Sequence, residues 1–134
     1  MMTRTRATSI IGVLFLLASC CQLLQAQRGW VYLGEANVDG AVDHDRIVVT
    51  GAQGEFRAIQ IRVERAPIEF DRVVVHFGNG SSDPIAIRNR IPAGGHTHVI
   101  DLPGDRRVIQ SVEFWYMRAS RSSHKPKVRL FGRR

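Results

Sequence analysis

Apolar and polar residues alternate in short runs along most of the chain, and clusters of Gly, Pro, Asn and Asp separate the runs. In residues 59–64, Ile59, Ile61 and Val63 fall on one face of an extended chain, while polar side chains fall on the other. This period of two is typical of a strand with one buried face and one face in water. The same pattern predicts eight strands, at residues 30–33, 46–50, 59–64, 73–77, 84–88, 97–102, 108–117 and 127–131.

The spacing of these strands predicts the fold class, which is all-β: a single antiparallel β-sandwich of about eight strands. Residues 78–84 are predicted to form a turn, because they combine an Asn-Gly pair, which tolerates positive φ, with a proline. The apolar face changes phase just before residue 73, which predicts a bulge or corner at Asp71-Arg72. Apart from the N-terminus, no segment has the periodicity of a helix.

The first 26 residues are predicted to be a secretory signal peptide. Arg4 and Arg6 form a short basic region, residues 10–18 are apolar, and Ala26 offers a small residue for cleavage. The apolar run is shorter than the ~20 residues of a membrane-spanning helix, so we expect no transmembrane span in the mature chain. The sequence therefore predicts one domain over residues 27–134, periplasmic or secreted.

A second processing route starts from the same segment. Residues 17–20, Leu-Ala-Ser-Cys, match the motif in which a cysteine becomes lipid-modified, so the alternative localisation is a lipid anchor through Cys20. Both cysteines of the chain, Cys20 and Cys21, lie in the leader. Cleavage after Ala26 would leave no thiol, which excludes disulfides, thiolate metal sites and a cysteine nucleophile in the mature chain.

The positive charge of the chain is concentrated at its C-terminal end. The net charge is +7, and no acidic residue follows Glu113. Such a segment favours attraction to polyanions without recognition of a specific nucleic acid. Trp115 is either a stacking platform for sugars or part of the structural framework. The candidate ligand-binding residues are Trp115, Arg118, Arg121, Lys125, Lys127 and Arg129.

Catalytic and metal chemistry finds little support in the sequence. His96 and His98 share a face if extended, but the sequence fixes no third metal ligand. The aspartate pairs at 43 and 45 and at 101 and 105 are predicted to flank turns, where aspartate caps nearby amides. The chain has no Gly-x-Ser-x-Gly elbow and no glycine-rich loop before a helix. We therefore expect no catalytic residue, no metal and no cofactor.

A series of spaced short elements spans the chain from Trp30 to Gly132. The elements are Trp30-Val31-Tyr32-Leu33-Gly34, Asp43-x-Asp45-x-Ile47, Phe56-x-x-Ile59-x-Ile61, Phe77-Gly78-Asn79-Gly80, Ile91-x-Ala93-Gly94-Gly95-x-Thr97, Ile100-Asp101-Leu102-x-Gly104, Arg107-x-Ile109 and Val128-x-Leu130-x-Gly132. Through these elements the mature sequence resembles the small exported bacterial proteins of the domain of unknown function 2541 family. The resemblance implies an exported all-β domain and supplies no catalytic residue.

Two functional hypotheses of different kinds follow from the sequence. The first is a non-enzymatic binding or accessory module for envelope glycans or other polyanions, which the basic C-terminal segment and Trp115 favour. The alternative is a structural or protein-interaction protein of the cell envelope that binds a partner through an exposed sheet edge. A metal-dependent enzyme is a distant third hypothesis, because its ligand set is incomplete.

The two processing routes predict different mature N-termini. Cleavage after Ala26 leaves a free domain that begins at Gln27, whereas use of the lipid-modification motif leaves a chain that begins with a lipid-bearing Cys20. Mass spectrometry of the protein recovered from the expressing cells distinguishes them. We expect the mass of residues 27–134, and a mass that retains the first 26 residues would contradict export through this leader.

Overall fold

The computed structural model of the chain describes residues 29–40, 42–87, 89–119 and 123–134. The predicted leader, Cys20 and Arg121 lie outside these residues. Within the described ranges, the only helical element is a short 3-10 turn at Gly51–Gln53, and no helix is long and apolar enough to cross a membrane. The strands are β1 (Trp30–Asn37), β2 (Val42–Val48), β3 (Glu55–Phe56), β4 (Ala58–Glu64), β5 (Ile68–Phe77), β6 (Ser82–Ile85), β7 (Arg90–Ile91), β8 (Ile100–Asp101), β9 (Arg107–Arg118) and β10 (Lys127–Arg133).

The strands form two antiparallel sheets. The four-stranded sheet has the order β1-β10-β4-β8. The six-stranded sheet has the order β2-β9-β5-β6, with β3 also paired to β9 and β7 also paired to β5. The longest strand, β9, lies inside the six-stranded sheet and pairs with β2 on one side and β5 on the other.

The core lies between the two sheets. Alternate residues of β4 and β10, such as Ile61 and Leu130, point inward from the four-stranded sheet, and Val75 and Phe114 point inward from the six-stranded sheet. All of them are almost fully excluded from water and belong to one contiguous apolar cluster. Since the described residues contain no cysteine, burial of this apolar surface is the main source of stability.

The all-β sandwich prediction is confirmed, with ten strands in place of about eight. Three of the ten, β3, β7 and β8, are only two residues long. The predicted bulge at Asp71-Arg72 is confirmed, because the pairing of β5 with β9 shifts register between Phe70 and Arg72. Pro84 lies in β6, so the predicted turn ends earlier than expected. Its position fits the rule that proline is tolerated on an edge strand.

The interpretation of the first aspartate pair as turn residues is wrong. Asp45 lies within β2, which starts at Val42 and not at the predicted residue 46. The buried hydroxyl of Tyr116 donates a 2.5 Å hydrogen bond to Asp45 Oδ2, so this carboxylate gives a core phenol its polar partner. The turn interpretation is confirmed for Asp105, which adopts the positive φ of 76° that a tight turn requires.

We predict that Gly132→Ala destabilises the domain through the core. A Cβ at Gly132 would lie 2.6 Å from Phe56 Cδ1 and 2.9 Å from Leu33 Cδ1, so the two sheets would have to separate locally. Overpacking of this kind lowers the free energy of unfolding by about 1–3 kcal/mol. Urea denaturation followed by tryptophan fluorescence measures the change.

Gly51→Ala is the matched control, because a Cβ there meets no atom within 4 Å. It should change the free energy of unfolding by less than about 0.5 kcal/mol. Equal stabilities for the two variants would contradict the close contact between the sheets at Gly132.

Candidate functional site

The outer face of the six-stranded sheet carries a group of polar side chains that are centred on one buried carboxylate, that of Glu113. Along β9, Val112, Phe114 and Tyr116 point into the core, so Glu113 and Trp115 point outward. The neighbouring strands contribute side chains to the same face at fixed register. The three rows across β2, β9 and β5 are His44–Trp115–Arg72, Arg46–Glu113–Val74 and Val48–Ser111–His76.

Glu113 lies at the centre of this face and is only 8% exposed. Arg46 Nη2 donates a 2.7 Å hydrogen bond to its Oε1, and His44 Nε2 lies 2.6 Å from its Oε2. His76 Nε2 lies 2.6 Å from Oε1 but is not oriented to form a hydrogen bond. Three nitrogen-bearing side chains from the two flanking strands therefore converge on one carboxylate.

These contacts keep the carboxylate ionised. The hydrogen bond from Arg46 lowers the pKa of Glu113 to about 2, helped by His44 and by the close approach of His76, although burial acts in the opposite direction. Near neutral pH, Glu113 is therefore a fixed negative charge and carries no proton to donate as a general acid. Its role in this arrangement is to hold Arg46 and His44 in place.

The indole of Trp115 is enclosed by its neighbours. The His44 ring stacks on it with the centroids 4.3 Å apart and an interplanar angle of 10°, and Arg72 Cζ lies 4.1 Å from the ring centroid. His44 and Arg72 come from strands on opposite sides of β9, and both contact the ring. The geometry favours the structural interpretation of Trp115 over that of an open stacking platform.

The C-terminal basic residues lie elsewhere. Lys127 and Arg129 are on the outer face of the four-stranded sheet, where Lys127 Nζ is 2.9 Å from Glu35 Oε2 and Arg129 Nη1 is 3.1 Å from Glu64 Oε1. The hydroxyl of Tyr32 and then the Lys127 ammonium lower the pKa of Glu35 below its ordinary value. Carboxylates on adjacent strands thus compensate these two positive charges.

Two further candidates make local contacts. Lys125 Nζ lies 3.1 Å from Asp39 Oδ1, and Arg118 Nη2 donates a hydrogen bond to the carbonyl oxygen of His124. Trp115 and Arg118 share β9, whereas Lys127 and Arg129 are on the opposite sheet. The structure therefore does not bring the candidate residues together into one site.

The predicted histidine pair borders a depression of about 500 Å³ that is lined by residues 87, 89–92 and 94–98. His96 Nδ1 lies 2.8 Å from the carbonyl oxygen of Thr97 and 3.1 Å from Gln60 Nε2. In the part of the chain that the structure describes, no three His, Cys, Asp or Glu side chains are placed to hold a metal ion. A third ligand beside His96 and His98, which a metal site needs, is therefore not found within the described ranges.

The sequence pattern does not predict the roles of Arg46 and Arg72 or the contacts of Glu113. Part of the signal is present in β2, where His44, Arg46 and Val48 alternate with Asp45 and Ile47. That period of two is typical of a strand with a basic outer face. Two aspartates around one histidine are also typical of a turn, so the sequence alone does not distinguish the two structures.

We predict that Glu113→Gln destabilises the domain near neutral pH and that the effect fades in acid. The pKa of Glu113 falls from 4.5 to about 2 on folding, so its contribution is complete above pH 4.5 and is lost as the pH falls through about 2. Replacing a carboxylate that accepts charge-assisted hydrogen bonds costs about 1–3 kcal/mol. Urea denaturation of both proteins across this pH range measures the difference.

Glu64→Gln is the control, because Glu64 pairs with Arg129 at a half-exposed site on the other sheet. Its loss should cost less than about 1 kcal/mol. If Glu113→Gln costs no more than Glu64→Gln near neutral pH, Glu113 does not stabilise the outer face in the way its contacts indicate.

Comparison with known proteins places the chain in a family. A family model described as a domain of unknown function, DUF2541, matches residues 9–132, which is nearly the whole chain. The search of curated proteins returned no match, and neither did the search of solved structures. The predicted resemblance is confirmed: the chain belongs to the DUF2541 family.

Proposed function

We propose that this domain is a non-enzymatic binding module that acts in the periplasm or cell envelope and binds an anionic glycan through the outer face of its six-stranded sheet. The observation that carries the proposal is the cluster around Glu113, in which one carboxylate holds Arg46 and His44 and lies against His76. Such an arrangement gives fixed positions to donors that would be mobile on an ordinary solvated sheet face.

The distribution of charge on this face favours an anionic ligand. Arg46 and Arg72 lie on either side of β9, and each is exposed at the surface. Glu113 is the acid between them, and its charge is already engaged by Arg46. A further acid, Glu69 of β5, lies opposite Met117 of β9. On the other side of β5, Glu69 lies opposite Arg90 of β7. Positive potential is therefore expected on the part of the face around Arg46 and Arg72.

The same contacts support a binding role over a catalytic one. Both oxygens of Glu113 already face nitrogen groups, and the Nε2 atoms of His44 and His76 each lie 2.6 Å from one of them. A general base needs a free lone pair within reach of the substrate proton. In this arrangement, the carboxylate serves to position the donors around it.

Binding to a uronic acid polymer tests the proposal. The mature protein should bind polygalacturonate at about 0.01 M salt and lose most of that affinity at about 0.15 M, because exposed charges are screened. A neutral dextran should not bind. The double variant Arg46→Gln/Arg72→Gln should weaken binding by about tenfold or more, as expected for loss of charge-assisted hydrogen bonds. Isothermal titration calorimetry measures all three.

The matched control is Lys127→Gln/Arg129→Gln, which removes the same charge from the opposite sheet. It should leave the affinity within about twofold of the unmodified protein, because those residues are already paired with Glu35 and Glu64. Absence of salt-sensitive binding would end the proposal. If Lys127→Gln/Arg129→Gln lost affinity and Arg46→Gln/Arg72→Gln did not, the glycan would bind at the C-terminal strand and not at the proposed face.

A second candidate function, a protein-interaction module, is favoured by exposed apolar side chains on the same face. Val48 is 67% exposed and Met117 is 44% exposed, at opposite ends of the region around Trp115. Apolar and arginine side chains together are typical of the core of a protein interface. In that case, Val48→Asp would abolish capture of a partner protein, while added salt would have little effect on it.

A further inference from the structure

We infer that the depression lined by Arg46, Val48, His76, Gln110 and Ser111 is a seat for one carboxylate group of a uronic acid residue. We refer to these five residues as the Arg46 depression. The inference rests on the proposed function, because it names the group of the glycan that the outer face recognises and the place where that group binds.

The size of the Arg46 depression fits a single charged group. Its volume is about 250 Å³, which is below the ~300–1,000 Å³ of sites that enclose a whole small molecule. The lining residues come from three adjacent strands, β2, β9 and β5, so the floor is rigid sheet and not loop. An ionic group attached to a larger polymer can enter such a site while the polymer continues across the surface.

The lining of the Arg46 depression is rich in hydrogen-bond donors and contains no carboxylate. The guanidinium of Arg46 has five N–H donors. One N–H group of Nη2 donates to Glu113, and the side chain is 55% exposed. The Ser111 hydroxyl, the Gln110 amide and the His76 ring complete the polar lining, and Val48 provides an apolar wall. An oxyanion is the ligand that matches this donor set.

Glu113 positions the main donor and also selects the charge of the ligand. Its hydrogen bond to Arg46 fixes the guanidinium before the ligand arrives, which lowers the entropic cost of binding. Its permanent negative charge lies directly beside the Arg46 depression, so a ligand with two negative charges is repelled more strongly than one with a single charge. A monoanionic carboxylate is therefore favoured over a dianion such as sulfate.

Titrations of the ¹⁵N-labelled mature protein with sodium galacturonate, glucose and sodium sulfate test this inference by NMR. Galacturonate should shift the backbone amides of Arg46, His76 and Ser111, sulfate should bind more weakly, and glucose should cause no shift. Arg46→Gln should weaken galacturonate binding by about tenfold, as expected for loss of a charge-assisted pair. Arg129→Gln, on the opposite sheet, should leave it unchanged.

Glu113→Gln tests whether Glu113 selects the charge of the ligand. If Glu113 only supported the fold, the ratio of the affinities for sulfate and galacturonate would not change in this variant. Removing the negative charge should raise the affinity for sulfate relative to galacturonate by at least about threefold, because the repulsion between Glu113 and the dianion is lost. If this variant does not fold, Arg46→Lys provides the test. It keeps the charge but loses the planar fork, and it should weaken galacturonate binding by at least about threefold.

The possible failures are distinguishable. If polygalacturonate binds and Arg46→Gln/Arg72→Gln weakens it, but galacturonate shifts no amide of the Arg46 depression, the carboxylate seat is wrong while the proposed function stands. If sulfate binds as tightly as galacturonate, the selection of charge by Glu113 is wrong. If neither the polymer nor the monosaccharide binds, both proposals are overturned.

Discussion

The register of strand β9 is the constraint on which the rest of the molecule depends. β9 pairs with β2, β3 and β5, and its inward side places Val112, Phe114 and Tyr116 in the core. A slip of one residue would move Glu113 into the apolar core and those side chains into water, so the register is strongly specified. The outward positions of Glu113 and Trp115 thus follow from the packing of the other side of the strand.

The charged side chains are paired differently on the two outer faces of the sandwich. On the four-stranded sheet, Lys127 and Arg129 pair with Glu35 and Glu64, and every member of these pairs is at least partly open to water. Pairs of this kind contribute little free energy. On the six-stranded sheet, several nitrogens converge on the single buried carboxylate of Glu113. The first arrangement neutralises surface charge, whereas the second fixes the geometry of donors. For this reason, we propose that binding takes place on the outer face of the six-stranded sheet and not along the basic C-terminal strand.

Alternation of apolar residues was sufficient to predict most of the fold. It identified the long strands around residues 59–64 and 108–117 and the bulge at Asp71-Arg72. It did not predict β3 or β7, because two-residue strands have no periodicity of their own and depend on pairing with β9 and β5. The start of β2 was not predicted, because Asp43 and Asp45 are compatible with a turn as well as with an edge strand.

The candidate site was less predictable than the fold because it depends on cross-strand register. Nothing in the sequence pairs Arg46 with Glu113, which are 67 residues apart and become neighbours only when β2 lies beside β9. Local composition pointed instead to the C-terminal basic segment, whose partners Glu35 and Glu64 lie far from it in sequence. Trp115 lies on the outward side of β9, and the His44 ring and the Arg72 guanidinium that contact it come from other strands.

The central claim is that the outer face of the six-stranded sheet, and not the basic C-terminal strand, is the functional face of this domain. A crystal structure of the mature protein with a bound oligogalacturonate tests it most directly. The account predicts that a carboxylate of the ligand contacts Arg46 next to Ser111, with Glu113 still bound to Arg46. A ligand bound instead along Lys127 and Arg129, with the Arg46–Glu113 face unoccupied, would contradict it.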